Sequence, residues 1–308
     1  MTRALLITNP VAARTEMRAV AAVRDTLRGG GWTVDLLATH GPGDARRFAA
    51  EAHAGGFDAL VCYGGDGTAM QIAAAIQGTG MPLGLVPGGT GNLLVGNLRL
   101  PRKPADAARA ILRGRPKLVD LGVVERSDGT HYFAVAAGAG YDAVVMAATS
   151  AAAKQRWKVG AYWATTLATL PGVHSVPFRL TVDGQEHSAP AAVVLVANCG
   201  EMIPPFFRLG PKVTPDDGWL DVVAVRADGV FDGVVALLDI LRGAGKGAGT
   251  ERIFTARGRV IRVDAEGAAR PVQLDGEASG TTPFEARVLP GVLAVLVDGN
   301  GGQGKRRG

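Results

Sequence analysis

Along residues 1–124, two hydrophobic periods take turns. Short apolar runs at 4–8, 57–63 and 82–86 have the length of buried strands, and 32–38 is rich in β-formers. Between them, residues 16–28, 44–53, 68–77 and 104–113 place apolar side chains three and four apart, as one helix face requires. Gly29-Gly30-Gly31 stops the first helix, and a further run at 117–124 closes the series. Strands alternating with helices predict a parallel sheet wrapped by helices. In such a sheet the loops at the strand carboxyl ends form the ligand crevice.

The pattern changes near Glu125. Short β-like runs set off by turns now dominate, at 131–137, 177–182, 191–199, 220–226, 259–263, 271–274 and 284–297. Two helical insertions, 143–170 and 230–241, interrupt them. The fold class predicted is a Rossmann-like α/β domain over 1–124, then an antiparallel β-sandwich with helical insertions over 125–298. A flexible basic tail follows at 299–308. No fixed internal period suggests repeats.

Composition narrows the class. The 308 residues are 47% hydrophobic, enough to build a large core and too many for a disordered chain. Glycine is abundant, at 44 residues, but follows no triplet period, which excludes collagen. Two cysteines, Cys62 and Cys199, cannot make a disulfide framework, and each ends an apolar run as a buried residue would. No apolar run approaches a membrane span, and the first ten residues lack the features of a signal peptide. A cytoplasmic location is expected. Three of the five net positive charges are Lys305, Arg306 and Arg307, so the body is too nearly neutral to suggest nucleic acid. The five histidines pair with no cysteine at metal-site spacing.

The strongest local signal is the run from Leu60 into Gly64-Gly65-Asp66-Gly67-Thr68, an apolar strand opening into a helix. Glycines there let backbone amides approach a polyphosphate, and the helix start adds a positive dipole end. A plain strand-to-helix turn rarely needs three glycines and an acid together. Asp66 has the chemistry to hold magnesium and Thr68 to donate to a phosphate oxygen. A second strand-end loop, Pro87-Gly88-Gly89-Thr90-Gly91-Asn92, repeats the logic, with Thr90 and Asn92 as side-chain partners. The loop Asn9-Pro10-Val11-Ala12-Ala13 is a third, in which Asn9 also suits a purely structural turn.

Two glycine motifs fail their context. Gly299 to Gly304 has the dinucleotide spacing but only four residues follow, too few for a helix. Gly138-Ala-Gly140-Tyr-Asp142-Ala143 fits the relaxed fingerprint, yet residues 144–182 hold no acid for the ribose. That acid-free stretch carries Lys154, Arg156, Trp157, Lys158, Tyr162 and Trp163, suited to a membrane interface or to a helix that packs its aromatics. Thr214-Pro-Asp216-Asp217-Gly218-Trp219 reads as a turn or as a cation site. Asp275-Gly276-Glu277 reads as a hairpin turn or as a rigidly held general base.

Taken in order, Asn9-Pro10, Gly64 to Thr68, Pro87 to Asn92, Gly138 to Ala143, Asp216 to Gly218 and Asp275 to Glu277 resemble the bacterial diacylglycerol kinase-like lipid kinases. These are relatives of sphingosine kinases and, more distantly, of NAD kinases. The first glycine loop alone is shared with NAD kinases; the full series, spanning residues 9 to 297, is far more specific. The resemblance implies ATP and lipid meeting in a cleft between an α/β domain and a β-sandwich. It implies an ATP site lined by Asn9, Pro10, Val11, Ala12, Ala13, Thr39, Gly64, Gly65, Asp66, Gly67, Thr68, Ala69, Met70, Gln71, Thr90 and Asn92. Asp275 and Glu277 match the family's carboxylate pair at the reaction centre, with Glu277 as proton acceptor. Asp66 falls to catalytic Mg²⁺. Asp217, with the carbonyls of Thr214 and Trp219, falls on a structural magnesium site.

The function so implied is transfer of phosphate from ATP to a lipid hydroxyl, above all that of diacylglycerol. The expected partners are a lipid substrate at the inner face of the plasma membrane, transient peripheral contact with that membrane, and a second copy of the chain. Ala13, Met70-Gln71 and Leu93 depart from the family's usual Gly, Asn-Glu and Asp. They keep in view a nucleotide-binding regulatory relative, and the shared first glycine loop keeps in view an NAD kinase-like enzyme.

Overall fold

The computed structural model describes residues 1–12, 15–140, 173–203, 207–208, 213–229, 232, 235 and 252–299. Ala13, Asp142, Ala143, the 143–170 insertion with its Lys154–Trp163 segment, most of 230–241 and tail residues 300–308 lie outside them. The chain divides into two compact units, Met1–Val119 together with the stretch from Gly291, and Asp120–Pro290.

In the first unit, chain order runs β1 (Arg3–Thr8), α1 (Met17–Gly29), β2 (Thr33–Ala38), α2 (Asp44–Ala54), β3 (Ala59–Gly64), α3 (Asp66–Ile76), β4 (Leu83–Pro87), α4 (Leu93–Asn97) and α5 (Pro104–Arg113). The strand β5 (Arg115–Arg126) follows and leads into the second unit. There come β6 (Gly129–Phe133), β7 (Ala136–Gly140), β8 (Val176–Val182), β9 (Gln185–Ala191), β10 (Val193–Ala197), β11 (Glu201–Ile203), β12 (Phe207–Arg208) and β13 (Leu220–Val225). Then follow β14 (Ile253–Gly258), β15 (Val260–Ala265), β16 (Pro271–Leu274), β17 (Glu277–Thr281) and β18 (Phe284–Val297).

The first unit's sheet has the order β2-β1-β3-β4 and then the end of β18, all parallel. Its core joins Leu6, Val61 and Tyr63 on the strands to Val20, Val23 and Leu27 on α1 and Ala107 and Ile111 on α5. Pro104 opens α5, where its missing N–H costs nothing. Gly84 lets α5 lie close, because a Cβ there would stand 2.8 Å from the Ile111 side chain. The pairings Thr8↔Ala38, Thr8↔Tyr63 and Gly64↔Pro87 bring four strand ends level. Asn9, Thr39, Gly65 and Gly88 therefore begin one rim.

The second unit is an antiparallel β-sandwich. One sheet runs β14-β13-β10-β7-β16-β17, and opposite it β9, β8, β15 and the start of β18 pair in turn. Phe133, Phe178, Leu180, Val194, Val222, Ile261 and Val263 fill the space between. On β8 and β15 they alternate with polar or less buried positions, whereas β10 and β13 are buried on both faces, Ala197, Val223 and Val225 joining Ala136 and Ile253 in a second cluster.

Several elements differ from their sequence patterns. The run 131–137 is two strands, β6 and β7, because the amides of Ala134 and Val135 turn to the carboxylate of Asp275 instead of a neighbouring strand. Helix α3 starts at Asp66, so Gly67 and Thr68 sit in its first turn, where an acid suits the helix dipole. The end of β18, placed by sequence in the β-domain, is a strand of the first unit. Helix α4 spans five residues, too few to show a period, and β17 (EASGT) is a polar edge strand without alternation.

Phe178 is fully buried in the sandwich core. Truncating it to alanine is expected to cost about 3–5 kcal/mol, read as a shift of the urea midpoint.

Candidate active site

Three loops meet on the rim of the first unit. Asn9 is their joint: its amide nitrogen donates to Thr68 Oγ1 at 3.3 Å, and its Oδ1 accepts the N–H of Val11 at 3.0 Å. The Asn9 N–H in turn reaches the carbonyl of Tyr63 at 3.2 Å. Pro10 and Val11 form the outer turn, closed by the Ala12 N–H on the Asn9 carbonyl at 3.1 Å, and Val11 is 76% exposed. Thr39 is buried beside them, its N–H on the Thr8 carbonyl at 2.9 Å.

The glycines do more than open space for a ligand. A Cβ on Gly89 would stand 2.6 Å from Gly65 Cα, and one on Gly88 would stand 3.2 Å from Gly64 Cα. The β3 and β4 loops thus touch backbone to backbone, joined by the Gly88 N–H on the Gly64 carbonyl at 2.8 Å. Asn92, at φ +49°, closes its own loop: Oδ1 accepts the Gly89 N–H at 3.0 Å and Nδ2 donates to the Gly89 carbonyl at 2.8 Å. Thr90 lies half-buried at the top of this turn.

Asp66 ties the two loops together. Its Oδ1 accepts the N–H of Leu93 at 2.7 Å, the first residue of α4. Burial pushes its carboxyl above the usual range, against the pull of the Leu93, Leu94 and Asn92 amides. A Cβ on Gly91 would come within 2.9 Å of its Oδ2. Ala69, Met70 and Gln71 continue α3 from this corner, the first of them buried. Cys62, just beneath, is an inert thiol pushed up to about 12 by burial and then by Asp66.

Two rim hydroxyls escaped notice in the sequence. Thr8 Oγ1 and Thr15 Oγ1 are buried without a hydrogen-bond partner, and Thr15 Oγ1 lies 2.6 Å from where a Gly88 Cβ would be. No pattern marks them beyond their place beside Asn9 and the start of α1. A helix start, glycine-lined backbone and unspent hydroxyls are a donor set that fits phosphate.

In the second unit, Asp275 and Gly276 take φ +48° and +87° between β16 and β17, the turn expected of Asp-Gly. The two acids separate in role. Asp275 accepts three consecutive amides: Ala134 on Oδ2 at 2.7 Å, and Val135 and Ala136 on Oδ1 at 2.9 Å each. Gln273 Oε1 fixes the turn from the other side by accepting the Gly276 N–H at 2.6 Å. Glu277, next along, is exposed. Asp275 is thus a clamp on the turn, and Glu277 is the exposed carboxylate beside it.

Asp217 sits in a crowded turn. Its Oδ1 accepts the Trp219 N–H at 3.1 Å, the Thr214 amide also pulls its carboxyl down, and Arg257 Nη2 lies 3.2 Å from Oδ2. Burial nonetheless raises its pKa overall. Arg257 also pairs with Asp221 at 2.7 Å, and buried Asp120 accepts the Gly218 N–H at 2.7 Å. A cation here would share its one side-chain carboxylate with a guanidinium. Among the described residues no three His, Cys, Asp or Glu side chains group as a metal centre.

The two acids of the hairpin should respond differently. Asp275→Asn is expected to cost about 1–3 kcal/mol, since the new NH₂ faces amide donors, whereas Glu277→Gln should stay within about 0.5 kcal/mol; urea denaturation compares them. Gly89→Ala, which drives a Cβ into Gly65, is expected to cost about 1–3 kcal/mol by the same measurement.

Known proteins resemble both units. Residues 3–124 match the diacylglycerol kinase catalytic domain, and 135–297 match the YegS C-terminal NAD kinase beta sandwich-like domain. A diacylglycerol kinase of Mycobacterium tuberculosis is 30% identical over 82% of this chain and 81% of its own. A probable lipid kinase YegS-like protein of Pseudomonas aeruginosa is 32% identical over 94% of this chain and 92% of its own. The crystal structure of a putative diacylglycerol kinase from Bacillus anthracis superimposes with a TM-score of 0.80 at 26% identity, covering 97% of each chain. The chain belongs to the diacylglycerol kinase-like family of lipid kinases, phosphotransferases with an alcohol acceptor.

Proposed function

We propose that this protein transfers the γ-phosphoryl group of ATP to a hydroxyl of diacylglycerol, forming phosphatidic acid. The observation that supports it most is the linked set of loops after β1, β3 and β4, closed by Asp66 on Leu93 and lined by glycine. Phosphoryl transfer asks mainly for positioning and charge neutralisation, which such a rim is built to supply. The acceptor is the substrate in the name of the Mycobacterium relative.

In this reading the first turn of α3, with Thr68 and Thr90, orients the phosphates. The lipid oxygen attacks the γ-phosphorus, the bond to the bridging oxygen of ADP breaks, and the proton of the hydroxyl passes to the Glu277 carboxylate. Asp66 would hold the Mg²⁺ that comes with the nucleotide, which would supply neutralisation of phosphate charge. Asp275 works through position alone: three amides hold it and so fix the turn that carries Glu277. A lipid acceptor resides in a bilayer, so transient contact with a membrane surface belongs to this function. No described helix is long and apolar enough to cross one.

The purified chain, given radiolabelled ATP and a panel of diacylglycerol, sphingosine and NAD, is expected to label phosphatidic acid. Label in NAD with none in any lipid would overturn the assignment. Glu277→Gln is expected to lower kcat about a hundredfold or more, as loss of a general base does, while ATP still stabilises the variant against heat. Turnover like that of the wild type would remove Glu277 from its role.

A further inference from the structure

Apart from the Glu277 carboxylate, strand β17 has arginine donors beside its far end. Arg126, at the end of β5, is half-buried against it: Nη1 donates to the Thr281 carbonyl at 3.2 Å, and a Cβ on Gly280 would stand 2.8 Å from that nitrogen. Its Nε and Nη2 are buried with no hydrogen-bond partner. Arg270 flanks the same segment, its N–H on Thr282 Oγ1 at 2.9 Å and its carbonyl accepting the Thr282 N–H at 2.8 Å. Arg270 Nε and Ser279 Oγ are buried and unpartnered too.

The acids beside Arg126 make their ion pairs with other residues, although Asp128 also feels the Arg126 charge. Glu125 pairs with Arg287 at 2.8 Å and Asp128 with His131 at 3.0 Å. Among the described residues neither Arg126 nor Arg270 joins an ion pair. A guanidinium cannot lose its proton, and a desolvated charge without a partner is costly, so both groups call for a counter-charge. The planar fork of N–H donors matches an oxyanion, phosphate above all.

We propose that Arg126 and Arg270 form a binding site for a phosphate-class oxyanion at the Thr281–Thr282 end of β17, separate from the reaction centre. A strand rises about 3.3 Å per residue, so the Thr281 end of β17 lies about 13 Å from Glu277, beyond the reach of the transferring phosphoryl group. The anion is either the headgroup phosphate of a neighbouring lipid or free phosphate, and it acts as a ligand that orders the β17 hairpin.

The test compares the full-length chain with Arg126→Gln and Arg270→Gln. In phosphate against chloride at matched ionic strength, the wild type is expected to gain about 2–4 °C in Tm, and each variant to lose most of that gain. Stabilisation by ATP should persist in both variants, which separates this site from phosphate held on the nucleotide loops. The lipid source is read by co-sedimentation with phosphatidylcholine vesicles, with and without phosphatidic acid. A headgroup ligand predicts a preference for phosphatidic acid that falls about fivefold in each variant. A phosphate-dependent Tm gain with no such preference assigns free phosphate as the ligand. Absence of both effects in the wild type, or their persistence unchanged in the variants, overturns the proposal. Should Arg126→Gln fail to fold, Arg270→Gln carries the same comparison.

Discussion

Two peptide backbones in van der Waals contact, at Gly65 and Gly89, set the shape of the first unit's loop rim. Any side chain at Gly89 would separate the loops after β3 and β4. Their approach brings the start of α4 within reach of Asp66, whose carboxylate then binds Leu93. Asn9 joins this assembly through Thr68. None of these bonds exceeds the ordinary strength of a hydrogen bond, and each depends on the close packing beneath it. The level register of β1, β3 and β4 makes that packing available, since a parallel sheet with staggered ends would scatter the loops.

The same economy governs acidic side chains in both units. Asp66, Asp275, Asp120 and Asp217 each accept backbone amides. Burying a carboxylate is tolerable when several N–H donors replace its water, and each such acid then fixes a loop that no apolar contact would fix. Glu277 is the contrast, exposed at the first position of an edge strand. Its freedom suits an acid that has to exchange a proton, while its neighbour supplies the rigidity.

The architecture was legible because its signals are long: four βα alternations in the first 124 residues, then β-like runs parted by turns. The site was legible wherever glycine, acid and threonine crowd together, as from Gly64 to Thr68 and from Pro87 to Asn92. What stayed hidden has a common cause. The partners of Asp66 and Asp275 are backbone amides, at Leu93 and at Ala134 to Ala136, and an amide has no letter in a sequence. The bonds that hold Asp275 and leave Glu277 exposed were therefore out of the sequence's reach. Helix α4 and strand β17 were missed for the related reason that short elements take their form from neighbours.

The clamp on Asp275 also ties together two distant stretches of chain. The residues it joins lie 139 to 141 positions apart, yet their spacing is set by bonds to one carboxylate. An insertion near Val135 would pull that carboxylate off its amides, and an insertion near Gln273 would turn Glu277 to the opposite face of its strand. Neither segment can change length alone. Across relatives of this protein, gains and losses of residues in the two segments should be absent or arrive together, so the hairpin leaves its record as a constraint on evolution at both places.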